Sequence, residues 1–298
     1  MSVENMNPKG WSKAAAYVST YRAQLAEWPI QAEAKVLEVA TGRMHLVVWG
    51  PSDAPPLLLL HGGGGTSVGW INQAEALGAQ HRLYALDLPG HAGLSVAKKP
   101  LKKVAETMTL IDEVLDTLQL SRVDILGISL GGAYAAHYAL RSPQRINRLV
   151  MIAPSPLLLP LRFSFFMNNL RLLFGTSGIE GFMRWLGPKQ NAGQPLYEKR
   201  LQQVVHWFGA ARRHFGLPNM MGMEWPAILR DDQLRALLVP TLVILGEHEV
   251  VYDARKGIAR TALIPNVQTA LIPGAGHDVM WSQPERLNAT ITAFLSSH

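Results

Sequence analysis

The sequence predicts an α/β protein: a mostly parallel, doubly wound sheet with antiparallel strands at its N-terminal edge and a helical insertion before its last strands. Three observations carry this. Short apolar runs recur at 57–60, 83–86, 123–126, 149–152, 242–245 and 270–272, each strand-sized and each ended by a turn signal. Their hydrophobicity is continuous rather than alternating, which suits strands covered by helices on both faces. Between two of them, Leu101, Val104, Met108, Ile111, Leu115 and Leu118 recur at spacings of three and four, giving one apolar helix face. Across 155–239 the pattern changes to a segment rich in Phe, Met, Trp and Arg that reads as helices and loops without a strand.

Taken in order, 11–28 reads as an amphipathic helix stopped by Pro29, and "AKVLEVATGRMHLVVWG" as two strands joined by a tight turn at Thr41 and Gly42. The expected organisation is one core domain in two parts, 1–154 and 240–298, interrupted by a helical cap at 155–239. A chain of 298 residues, 48% hydrophobic and 17% charged, has ample material for such a core and no compositional case for disorder. The net charge of +6 comes from scattered pairs such as Lys98 with Lys99 and Arg212 with Arg213, without a recognition motif, so no nucleic-acid partner is expected. The absence of cysteine excludes disulfides, thiolate nucleophiles and cysteine metal sites. The beginning lacks the order of a secretory signal, and the apolar stretch at 154–174 is broken by Pro, Arg and Asn, so a soluble, cytoplasmic protein with no integral membrane segment is expected. A monomer or homodimer would fit, without cofactor or metal.

Five stretches carry chemistry. "GISLGG" places Ser129 between a buried strand and the helix "LGGAYAAHYALR"; a strand turning directly into a helix there is strained, and Gly127 and Gly131 remove the clashes that side chains would make. The helix N-terminus points free N–H groups at developing negative charge. In "LLLLHGGGGTSVGW" the run from Gly62 to Gly65 follows a strand, so Gly63, with Leu130 after the serine, offers the two N–H donors that a tetrahedral oxyanion needs. His61 reads as an orienting hydrogen-bonder. The loop "DLPGHAGLS", which begins at Asp87, reads as a sharp turn at the same sheet edge.

A serine hydroxyl needs a general base, and the base needs a carboxylate. His277, in "PGAGHDVM" after a strand, is the candidate base. The acid comes from "GEHEVVYD": Glu249 is placed to turn back towards His277, with Asp253 and Glu247 as alternatives, Asp253 having a competing use as a helix N-cap. His45, His137, His206 and His298 read as surface or capping residues.

The order serine, acid, histidine, preceded by a glycine oxyanion loop, resembles the α/β-hydrolase superfamily. "LLHGGGG" is similar to its oxyanion loop, "GISLGG" to its nucleophile elbow, "GEHE" to its acid turn and "GAGH" to its histidine loop. Two departures stand out: "DLPGHAGLS" is one residue longer than that superfamily's usual turn, and Glu249 stands where most members carry Asp. The N-terminal helix running into "EWPIQAEAKVLEVATGRMHLVVWGP", with "GEHEVVYD", resembles bacterial carboxylesterases of the naproxen-esterase type. The resemblance implies cofactor-free hydrolysis of a small-molecule ester through an acyl-enzyme, with Ser129, His277 and Glu249 catalytic and Gly63 and Leu130 forming the oxyanion hole.

Gly64, Trp70, Met223 and Trp225 are candidates for the substrate pocket, and short- to medium-chain or aryl esters are the expected substrates. A C–C bond hydrolase of meta-cleavage products would use the same serine relay and is the alternative within the superfamily. A ligand-binding protein with little turnover is the alternative outside enzymes. A prolyl aminopeptidase calls for more acid in the cap than Glu180, Glu198 and Glu224 supply, and a carboxylate-nucleophile hydrolase is disfavoured by Ser129 itself.

Overall fold

A computed structural model describes residues 12–215 and 224–297. Among these, nine strands form one sheet: β1 (Glu33–Glu38), β2 (Gly42–Trp49), β3 (Pro56–Leu60), β4 (Arg82–Leu86), β5 (Val96–Ala97), β6 (Val123–Ile128), β7 (Ile146–Ile152), β8 (Thr241–Gly246) and β9 (Val267–Ile272). Their spatial order is β1-β2-β4-β3-β6-β7-β8-β9, with β5 paired to β2. β2 is antiparallel to each of β1, β4 and β5, and every other pairing is parallel. The helices are α1 (Ser12–Ala26), α2 (Ile71–Gly78), α3 (Val104–Thr117), α4 (Leu130–Arg141), α5 (Phe163–Asn169), α6 (Gly175–Leu186), α7 (Pro195–Phe215), α8 (Asp231–Arg235), α9 (Ala254–Thr261), α10 (Val279–Ser282) and α11 (Pro284–Ser296).

The continuous apolar runs explain which strands lie inside. Every residue of β6 and β8 is buried. The run at 270–272 departs from this expectation, because β9 is the edge strand beside β8 and most of it is partly or fully exposed. A run of that length says nothing about whether a second neighbour covers it.

The chain steps one way from β3 through α2 to β4, and the opposite way from β6 through α4 to β7. Right-handed crossovers in opposite directions put α2 and α4 on opposite faces. Accordingly α2 packs with α11, and α3 with α4. The reversal falls between β3 and β6, parallel neighbours with Leu60 opposite Gly127, so their carboxyl ends open into one crevice. The connection from β7 to β8 carries α5 to α8 and, among the described residues, no strand.

Asp87, directly after β4, ties the N-terminal elements to this frame. Its fully buried carboxylate accepts from Ser67 N–H at 2.7 Å, Leu94 N–H at 2.9 Å and the Tyr21 hydroxyl at 3.0 Å, and lies 3.0 Å from His45 Nδ1. One side chain thus joins α1, β2, the segment before α2 and the loop after β4. Burial pushes this carboxyl up, but the hydrogen bond and charge of His45, helped by His61 and the Leu94 N–H, outweigh it and leave Asp87 well below the usual carboxylate range. Gly93 is required here, since a Cβ would lie 2.4 Å from Asp87 Cγ. His45 is therefore a buried partner rather than a surface or capping residue; its partner is distant in sequence. His206 is exposed and His137 bonds the Ala227 carbonyl at 3.1 Å, while His298 lies outside the described residues.

Replacing Asp87 by Asn should cost about 2–4 kcal/mol at pH 7, measured by urea unfolding. Because the folded-state pKa is depressed, the carboxylate's contribution is complete above its unfolded pKa of about 4 and is lost as pH falls through the folded value. The gap between wild type and variant should therefore narrow below about pH 4.

Candidate active site

Ser129 occupies the joint between β6 and α4 with φ 52° and ψ −119°, a conformation that costs a non-glycine residue about 1–3 kcal/mol. Its backbone is held on both sides: Ser129 N–H donates to Ile152 O at 2.8 Å, and Ser129 O accepts from Ala133 N–H at 3.0 Å and Ser155 N–H at 3.1 Å. The flanking glycines are a packing requirement. A Cβ on Gly127 would lie 2.3 Å from Gly131 O, and one on Gly131 would lie 2.2 Å from Leu60 O. With glycine at both, the first turn of α4 sits directly on the ends of β6 and β3.

His277 lies beyond β9, with Nε2 3.0 Å from Ser129 Oγ and Nδ1 2.8 Å from Glu249 Oε2. An ionised carboxylate only accepts, so the proton sits on Nδ1 and leaves Nε2 free to accept from the serine hydroxyl. The Glu249 side chain is fully buried, and its other oxygen accepts Val251 N–H at 2.8 Å. Gly246 brings the two loops together: a Cβ there would strike Gly276 O at 2.2 Å, and His248 N–H donates to Ala275 O at 2.8 Å. The other acids face elsewhere. Asp253 caps α9 by accepting Lys256 N–H at 3.0 Å, as a helix start demands, and Glu247 is about half exposed beside His248.

The glycine loop after β3 divides its N–H groups. Gly65 donates to Gly62 O at 3.0 Å and Gly64, at φ 71°, donates to His91 Nδ1 at 3.1 Å. The N–H groups of Gly63 and Leu130 have no acceptor among the described residues. His61 holds the loop: Leu88 N–H donates to its Nε2 at 2.9 Å, so its Nδ1 carries the proton and donates to Gly62 O at 2.8 Å. Burial lowers its pKa, as that neutral form requires. His91 stands edge-to-face with it, the ring centroids 5.4 Å apart, and burial lowers His91 to about 3.

The helical insertion grips the histidine loop. His277 N–H donates to Leu186 O at 2.9 Å, and Asn191 Nδ2 donates to Gly274 O at 2.9 Å. Asp278, next to the histidine, is fully buried and accepts Gly276 N–H at 2.8 Å and the Ser282 hydroxyl at 3.0 Å, while burial raises its pKa to about 6. Gly187 passes so close that a Cβ would lie 2.1 Å from Asp278 Oδ2 and 2.7 Å from the Tyr197 hydroxyl.

Ser129, His277, Gly63 and Leu130 all line one cavity of about 620 Å³, as do Gly64, Trp70 and Trp225. Glu249 stands behind His277, outside the lining, and Met223 lies outside the described residues. The remaining wall is largely apolar, with Phe165, Phe182, Met183 and Trp207 from the insertion. Sequence reasoning missed His91, Asp278, and the wall residues Tyr17 and Arg212. Of these, His91 stood in the turn "DLPGHAGLS" and Asp278 in "PGAGHDVM", both already singled out for other residues. Among the described residues, no three His, Asp or Glu side chains gather as metal ligands.

Residues 55–284 match the family model of the alpha/beta hydrolase fold. The carboxylesterase YbfK of Bacillus subtilis is 30% identical over 94% of this chain and 93% of its own length. An uncharacterized carboxylesterase, nap, from the same organism is 29% identical over 94% of this chain and 92% of its own. The crystal structure of naproxen esterase (carboxylesterase NP) from Bacillus subtilis superposes with a TM-score of 0.87, covering 97% of this chain and all of that one, at 29% identity. A match of this extent, on a sheet with this order and reversal, has one reading: the chain belongs to the α/β-hydrolase fold family, as a serine ester hydrolase of the carboxylesterase type.

Proposed function

We propose that the chain hydrolyses short- to medium-chain or aryl carboxylic esters through an acyl-enzyme on Ser129, with His277 as general base and acid and Glu249 as its orienting carboxylate. The observation that carries this reading is the unbroken hydrogen-bond chain from Ser129 Oγ through His277 to Glu249, at 3.0 and 2.8 Å.

In acylation Ser129 Oγ attacks the ester carbonyl carbon while its proton passes to His277 Nε2. The carbonyl oxygen becomes an oxyanion, received by the Gly63 and Leu130 N–H groups at the start of α4, where the helix dipole adds to them. Glu249 stabilises the imidazolium without taking the proton. His277 then protonates the departing alkoxide, the alcohol leaves, and a water that gives its proton to Nε2 attacks the acyl-enzyme to release the acid. No step calls on a cofactor. His91 serves this chemistry indirectly, because occupying the Gly64 N–H fixes the loop that presents Gly63.

Residues 155–239 act in this reading as a cap over Ser129, its apolar wall receiving the acyl or aryl group. A C–C bond hydrolase would share the relay; turnover of p-nitrophenyl esters beside an inert dienone separates the two.

Ser129→Ala should lower kcat at least about 1,000-fold while moving Tm by no more than about 2 °C in a calorimetric scan. Retained hydrolysis would remove Ser129 from the mechanism. Glu249→Gln should cost roughly 10³–10⁴ in kcat, as loss of the histidine's orienting carboxylate does elsewhere. Asp253→Asn should stay within about twofold in activity, because Asn caps a helix as well as Asp does. Across p-nitrophenyl esters of rising chain length, kcat/KM should climb to a medium-chain maximum and then fall as the acyl group outgrows the cavity.

A further inference from the structure

The cavity wall contains a cation that the proposed mechanism leaves unused. Val204, Trp207, Phe208, Ala211 and Arg212 of α7 all line the cavity, and their spacing of three and four residues makes them one stripe of the helix. Arg212 therefore lies on the face turned to the substrate space. Its side chain is partly buried, Nη1 is fully buried with no acceptor, and among the described residues it has no ion-pair partner. Other arginines of the insertion are matched: Arg184 pairs with Glu180 at 2.8 Å and Glu198 at 2.6 Å, and Arg200 pairs with Glu285.

The surroundings repeat the imbalance. Among the described residues, no Asp or Glu lines the cavity. Three further lining residues, His91, Trp207 and Trp281, carry buried ring nitrogens without a partner. Because His91 Nδ1 accepts from Gly64, the unpartnered Nε2 is the protonated nitrogen. The Tyr17 hydroxyl donates to Ala92 O at 2.5 Å and the Tyr17 ring packs on His214 at 5.2 Å, so the loop after β4, α1 and the end of α7 that bears Arg212 meet at one end of the cavity. The wall residues from α5 and α6 are Phe165, Ile179, Phe182, Met183 and Leu186, with Asn169 as the polar member.

An unpaired guanidinium in an apolar wall without carboxylates is costly unless an anion arrives to meet it. Arg presents a planar fork that fits a carboxylate bidentately, and the chain's net charge of +6 favours the approach of an anion. We infer that Arg212 forms a carboxylate subsite, so that the preferred substrates are esters carrying a free carboxylate separated from the ester carbonyl by an apolar spacer, such as half-esters of medium-chain dicarboxylic acids. This rests on the ester-hydrolase reading and narrows its substrate class.

The test compares kcat/KM for matched ester pairs that differ only in a terminal carboxylate, mono-p-nitrophenyl suberate against p-nitrophenyl octanoate, with a second pair bearing the carboxylate in the leaving group. In one pair the wild type should favour the carboxylate ester by about 10- to 100-fold. Arg212→Gln should erase that ratio, mainly through KM, and Arg212→Lys should restore part of it; raising the salt should shrink it in wild type. Thermal melts of both variants accompany the kinetics, and if the Gln variant does not fold, the Lys variant and the wild-type salt dependence decide. Hydrolysis of the neutral ester with no carboxylate preference, or a preference that Arg212 substitution and salt leave intact, overturns the subsite while the hydrolase reading stands. Failure of the wild type to cleave either member of either pair overturns the hydrolase reading instead.

Discussion

The structure depends on one close approach: the first turn of α4 against the end of β3, where the backbone of Gly131 meets the Leu60 carbonyl with no room for a side chain. That contact fixes where α4 begins, and Ser129 must then hold a positive φ to join β6 to it. The strain is local and small beside the packing that maintains it, since β6 is buried along its whole length between β3 and β7. The placement of the N–H groups proposed to receive the oxyanion follows from the same approach. Gly63 emerges from β3 and Leu130 from β6, so their relative placement reflects the register that sets Leu60 opposite Gly127. Two N–H groups from distant parts of the chain are positioned by a strand pairing rather than by loop flexibility.

The second organising constraint is Asp87. A buried carboxylate is expensive, and this one is stable because every approach to it brings a donor: two backbone N–H groups, the Tyr21 hydroxyl and His45. One consequence reaches the active site. The loop that Asp87 anchors presents His91 to Gly64, and it gives Tyr17 the Ala92 carbonyl that holds α1 against the cavity. Helix α1, outside the sheet altogether, thus becomes part of the cavity wall.

These two constraints differ in how far they could be read from the sequence. The serine turn was legible because its cause is local: glycines two residues either side of Ser129, a buried strand before and a helix after. The contact of Glu249 with His277 was legible for a similar reason, since its position in the turn lets it reach back, while Asp253 had an obvious local use as a cap. The parallel sheet was legible from its apolar runs, but the edge position of β9 was not, because an exposed edge and a buried centre can share a three-residue signature. Asp87 with His45, and Asp278 beside Gly187 and Tyr197, escaped because each is defined by partners far along the chain. Arg212 escaped for the opposite reason. It stands beside Arg213 in an amphipathic helix, and only burial and the want of a partner separate it from a solvated surface charge.

The insertion and the catalytic loops cannot be treated as independent modules. The carbonyl of Leu186, at the end of α6, takes the backbone N–H of His277 itself, and a side chain on Gly276 would collide with that same carbonyl at 2.3 Å. Gly187, the next residue, crosses Asp278 at a distance that admits no side chain. The helices that shape the cavity therefore also brace His277. A change that shifts α6 by a fraction of an ångström moves both the cavity wall and the imidazole facing Ser129, so the proposed mechanism links substrate range to turnover. The acid turn is part of that coupling, since Val251, whose N–H binds Glu249, accepts the Arg162 N–H of the insertion on its carbonyl at 2.8 Å. In the proposed mechanism, fit and rate should thus vary together when the insertion changes, through the acid turn as well as through the histidine loop.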